Sequence, residues 1–205
     1  MSCTLQNADR EFIVAVHEAG HAVACVKLGV PFSCVEVDIS GEGFEAGVDC
    51  RVEPFPKSGV GSRESLSAHQ QGDFRRSLAD YSERCRKQVI VCFAGRAAEE
   101  RAVVRGLTKA AGAGSDLKDL QDARHFIRES LRAENVQRSF DGQELPAEQE
   151  IAALPARFVT RLEELRVEAE ELVAGQFGAV ERVARMLVVR KRLTLAEVQQ
   201  LVYGD

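Results

Sequence analysis

The sequence is poor in histidine, with four in 205 residues, so two of them close together stand out. It contains no uninterrupted apolar run of the roughly 20 residues that a membrane span needs. Its longest, FIVAVHEAGHAVACV, is broken by His17, Glu18 and His21. The opening MSCTLQNADREF has neither a basic start nor a long apolar stretch, so a secretory leader is not expected. There is no basic patch: Lys and Arg number 27 against 32 Asp and Glu, which argues against nucleic acid as a partner. The six cysteines, at positions 3, 25, 34, 50, 85 and 92, include no C-x-x-C pair. Cys25, Cys85 and Cys92 fall among apolar neighbours on helical stretches, the setting of reduced structural thiols. These absences together predict a cytoplasmic protein.

What is present describes an ordinary globular chain, 45% hydrophobic and 29% charged, long enough for one substantial core. Two of the four histidines sit in the pentapeptide HEAGH, from His17 to His21. On a helix, residues four apart share a face one turn apart, so both imidazoles can grip one tetrahedral metal at about 2.0–2.1 Å. Glu18 is swung around the helix to a place beside the metal's open position, where it can take a proton from a water activated by zinc. The bland alternative is a pair of satisfied core histidines. Context favours the metal: Phe12, Val16, Ala19, Val23 and Val26 recur at helical spacing, with Gly29 and Pro31 as a stop.

The rest of the chain predicts a mainly α (α+β) fold with a small β-hairpin or sheet beside the metal-bearing helix. Asn7 or Asp9 is the expected cap of that helix. Val35, Val37 and Ile39 alternate with polar neighbours, as do Ala46, Val48, Cys50 and Val52, giving two strands. An exposed edge there could hold an extended peptide by main-chain hydrogen bonds. Residues 54–72 read as a loop, with His69 solvated in it. Asp73 is the expected cap of a helix running to about Arg101, whose Gly95 and alanines allow close packing on the metal-bearing helix. Ser115 can cap another helix beginning at Asp116, and 134–148 reads as a loop. Phe158, Leu162, Leu165, Ala169 and Leu172 form a heptad-like seam, suited to an intramolecular helix pair or to self-association. Two more helices follow, AVERVARMLVV and TLAEVQQLV, the latter with a Thr194–Glu197 capping box. The whole reads as a single domain, 1–205, with a metal-site core at 1–133 and a C-terminal helical part at 134–205.

A catalytic zinc commonly takes a third protein ligand. Asp116, opening a helix after a glycine-rich turn beside Asp119 and Asp122, is one candidate; Glu99 and Glu100 are the others. Either glutamate can instead pair with Arg96 or Arg101, or orient a ligand from behind.

HEAGHA at 17–22, FAGRAAEE at 93–100 and GAGSDL at 112–117, in that order, resemble the peptidase domain (family M41) of FtsH-type ATP-dependent zinc metalloproteases. The resemblance covers most of residues 10–201. It implies zinc held by His17, His21 and Asp116, Glu18 as general base, and proteolysis; relatives form six-fold rings. FtsH-type proteins also carry transmembrane segments and a nucleotide-hydrolysing module, whereas this sequence holds no G-x-x-x-x-G-K-[ST] phosphate loop. The expectation is therefore a stand-alone zinc endopeptidase acting on unstructured peptides or loosely folded proteins, with an ATPase in trans as a partner for unfolding. The rival expectation is a non-catalytic interaction protein that keeps the fold and the metal.

Overall fold

A computed structural model describes residues 2–38, 45–50, 66–109, 111, 116–143 and 148–204. The fold is mainly helical with one small antiparallel sheet. Its elements run α1 (Ser2–Leu28), β1 (Phe32–Asp38), β2 (Glu45–Cys50), α2 (Ala68–Val104), α3 (Asp116–Phe140), α4 (Glu148–Arg190), β3 (Arg192–Thr194) and α5 (Leu195–Tyr203). Among the described residues no helix is long and apolar enough to cross a membrane.

The organising element is α1, which is enclosed on every side rather than along one stripe. All residues from Val14 to Val26 are buried, the two histidines and Glu18 included. That requires neighbours all round, and α2, α4, α5 and β1 supply them. Small residues set the closeness of α1 to α2. A β-carbon on Gly20 would lie 2.5 Å from the Ala94 carbonyl oxygen and 2.8 Å from the Ala98 β-carbon. The main core joins the N-terminal residues Val16, Val23 and Val35 to Val180, Leu187, Leu193 and Val198 near the other end.

The sheet has the order β2-β1-β3, with β1 in the middle. The expected hairpin is there, with Val35 opposite Val48 and Val37 opposite Ala46. The third strand was not expected: Leu193 pairs with Val35 in the stretch between the last two helices. Ile39 and Val52 lie outside the described residues.

Several boundaries differ from those the sequence suggests. Asn7 and Asp9 do not cap α1 but lie inside it, since no glycine or proline stops the helix from continuing back to Ser2. The predicted 54–72 loop ends early, because Ser67 and Gln70 form a capping box that starts α2 ahead of Asp73. His69 is consequently a helical residue, exposed and 3.3 Å from Asp73. The loop expected from 134 begins only after Phe140, where Gly142 takes a positive φ of 73°. The C-terminal AVERVARMLVV is not a separate helix: α4 runs unbroken through Gly175 and Gly178. The heptad-like seam packs within the chain, Leu165 and Ala169 against Val89, Ile90 and Ile127. Cys25, Cys34, Cys85 and Cys92 are buried free thiols.

Candidate metal centre

His17 and His21 lie one turn apart on α1 with ring centroids 4.6 Å apart, one ring edge-on to the other. What aims them comes from α2. The Nδ1–H of His21 donates to the Val91 carbonyl oxygen at 2.7 Å, which obliges that nitrogen to carry the proton and turns Nε2 toward Asp119. The Nδ1–H of His17 donates to Glu99 Oε1 at 2.8 Å, with both side chains fully buried. Orienting contacts of this kind on the far nitrogen are the usual support of a metal-binding histidine. Gly95 makes the approach possible, since a β-carbon there would stand 2.5 Å from His21 Nε2 and 2.7 Å from His17 Nε2.

The third group comes from α3. Asp119 Oδ2 lies 3.0 Å from His17 Nε2 and 3.5 Å from His21 Nε2. His17, His21 and Asp119 each offer one ligand atom, all within 4.8 Å of one another, and so could hold a metal ion. Asp116, expected from the resemblance as the third ligand, is the first residue of the same helix, one turn before Asp119; its side chain lies outside the described residues. The other two candidates are accounted for. Glu99 meets His17 on Nδ1, opposite the Nε2 that faces Asp119, so it orients the ring. Glu100 is exposed and pairs with Arg96 at 2.7 Å.

Burial and close charge pairs set the electrostatics of the cluster. Burial alone would drive His17 toward its neutral form, but hydrogen bonds to Asp119 and Glu99 outweigh it and raise its pKa to about 10. Without a metal, a proton on Nε2 therefore takes the cation's part between two carboxylates. Burial also works against ionisation of Asp119, yet its hydrogen bonds to His17 and His21 hold it well below the usual carboxylate range. Glu18 differs from both. Burial pushes its carboxyl upward against the pull of His21 and His17. Its Oε2 is buried with no hydrogen-bond partner among the described residues. An unpartnered buried carboxylate oxygen costs roughly 1–3 kcal/mol or more, a cost that a water held at the site would relieve.

Two nitrogen donors and one oxygen donor on a pre-oriented frame, with a spare carboxylate beside them, fit a metal site with three protein ligands among the described residues. Of the sequence-predicted residues, the structure brings His17, Glu18, His21 and Glu99 together. Asp119 stood only as a neighbour of Asp116, and the Val91 carbonyl carries no sequence signal because any residue has one. Neither a scan against protein-family models nor a search of curated proteins finds a match to the chain.

Proposed function

We propose that this protein is a zinc-dependent endopeptidase of the FtsH-like kind, acting on unstructured peptides or loosely folded protein segments. The observation that carries the reading is the unpartnered Glu18 Oε2, buried beside the His17–His21–Asp119 cluster. Zinc bound there would supply Lewis acidity, lowering the pKa of a coordinated water to about 7 and polarising a peptide carbonyl.

The chain's own residues divide the remaining work. His17, His21 and Asp119 would hold the ion, and Glu99 and the Val91 carbonyl fix the two rings in the tautomers that present Nε2. Glu18 accepts the proton of the attacking water at its unpartnered oxygen and returns it to the leaving amine. The side of β2 away from β1 pairs with no strand among the described residues and would give an extended peptide a row of main-chain partners. Recognition through the main chain favours unfolded segments and asks little of their sequence.

The decisive experiment pairs zinc analysis with hydrolysis of an unstructured protein such as casein. Purified protein should carry one zinc per chain and cleave it, and Glu18→Gln should keep the zinc and lose the cleavage. Cleavage retained by Glu18→Gln would remove this reading.

A further inference from the structure

A cavity of about 220 Å³ opens between α2, α3 and α4, and Asp119 forms part of its wall. Its apolar lining comes from Cys92, Phe93, Ala97 and Leu120. Arg96, Glu100, Arg166 and Glu170 also face it, and the arginines have no charge to spare. Arg96 is paired with Glu100 at 2.7 Å, and Arg166 with Glu163 at 2.9 Å and with Glu170. An anionic side chain entering here would lose its hydration beside three carboxylates, and a cationic one would have to displace an arginine already paired with them. An apolar one would cover surface that the fold leaves uncovered. The volume is below the several hundred Å³ typical of whole small-molecule sites and suits one large side chain.

We propose that this cavity receives a single large uncharged side chain of the substrate, aromatic or leucine-sized, and thereby selects which peptide bond is presented at the neighbouring metal centre. The inference rests on the peptidase reading and adds selectivity to it. Main-chain pairing along a strand leaves register open, and a filled cavity next to Asp119 would set it. Ala97 and Leu120 are the specificity-determining positions, one on each of two facing helices.

The test uses the Glu18→Gln protein loaded with zinc and short unstructured peptides carrying one tryptophan. The chain itself has no tryptophan, so the emission reports on the peptide alone. Binding should shift that emission to shorter wavelength, and peptides with Ala, Lys or Glu in place of Trp should compete at least about tenfold more weakly. Ala97→Leu, which fills the cavity, and Leu120→Glu, which puts a charge at a half-exposed position of its wall, should each weaken the tryptophan peptide by a similar factor. Equal competition by the alanine or lysine peptide, or unchanged binding in both variants, overturns the proposal. Cleavage of a mixed peptide pool by the unmodified protein then separates the two ideas. Cuts with no preference for large apolar neighbours reject the cavity's role and leave the peptidase standing. Binding that depends on the cavity, with no cleavage of any peptide, rejects the peptidase and leaves the cavity's role standing.

Discussion

Gly95 backs directly onto His21: a β-carbon at Gly95 would stand 2.5 Å from His21 Nε2. The glycine's φ is not the reason for it, since it lies inside a regular helix. The space it leaves is filled by the two imidazoles. Gly95→Ala is expected to displace both rings and weaken zinc binding at least about tenfold, as disturbed ligand support does elsewhere. Gly175→Ala on α4, with nothing within 4 Å of its β-carbon, is the control and should stabilise the helix by about 0.5–1 kcal/mol. Zinc titration against a chelating dye, with thermal melts, reads both.

Glu99 and Glu100 are adjacent in sequence and opposite in consequence. Glu99→Gln removes the charge behind His17 and should reduce zinc affinity about 10–100-fold. Glu100→Gln touches an exposed pair with Arg96 and should leave affinity unchanged. Equal effects from the two would reject the orienting role of Glu99.

The source of the third ligand is settled by metal content. Asp119→Ala should yield protein with little or no zinc, while Asp116→Ala keeps it. The reverse result would put the carboxylate one helical turn earlier, where the resemblance to FtsH-type peptidases expects it.

Loss of the general base has its own signature. Glu18→Gln should lower turnover by about 10²–10⁴ or more while zinc content holds. It should also leave thermal stability unchanged or improved, because the carboxyl is unfavourably buried.

The metal-free protein should lose stability as pH rises. His17 has a pKa of about 10 when folded against an ordinary 6.5, so folding binds its proton more tightly. The stabilisation is fully present below 6.5 and is lost as pH climbs through about 10. Glu18, raised by burial, acts in the same sense from its ordinary range upward. Asp119, held low by the histidines, acts oppositely, its contribution disappearing as the solution becomes strongly acid. Melts of chelator-treated protein from pH 6.5 to 10 should show a falling Tm that flattens in His17→Asn. A Tm independent of pH in the parent would contradict the double contact of His17.

The parts of the site that were legible in the sequence are those set by local geometry. His17, Glu18 and His21 lie within one and a half turns of one helix, and helical period alone puts them together. The choice between Asp116 and Asp119 depends on how α3 is rotated about its axis relative to α1, which packing decides and no local pattern records. The start of α2 was readable: Ser67 followed by Gln70 is a capping box, masked by the surrounding polar residues. The glycines at 175 and 178 look like a break. The cost of about 1 kcal/mol each in a helix is offset by burial of Val173, Phe177, Val180 and Val183 on the same turns. The strand at Arg192–Thr194 is too short for a period, and its partner lies about 160 residues away in the chain.

That distant pairing bears on how the protein is made. The helix that carries His17 and His21 leaves the ribosome long before Leu193 and Val198, which pack into the core it shares with β1. Until they arrive, the part of the core that they fill lacks its cover, and any product that stops before Leu193 never gains it. Until they dock, part of the core surface that α1 shares with them stays open to water.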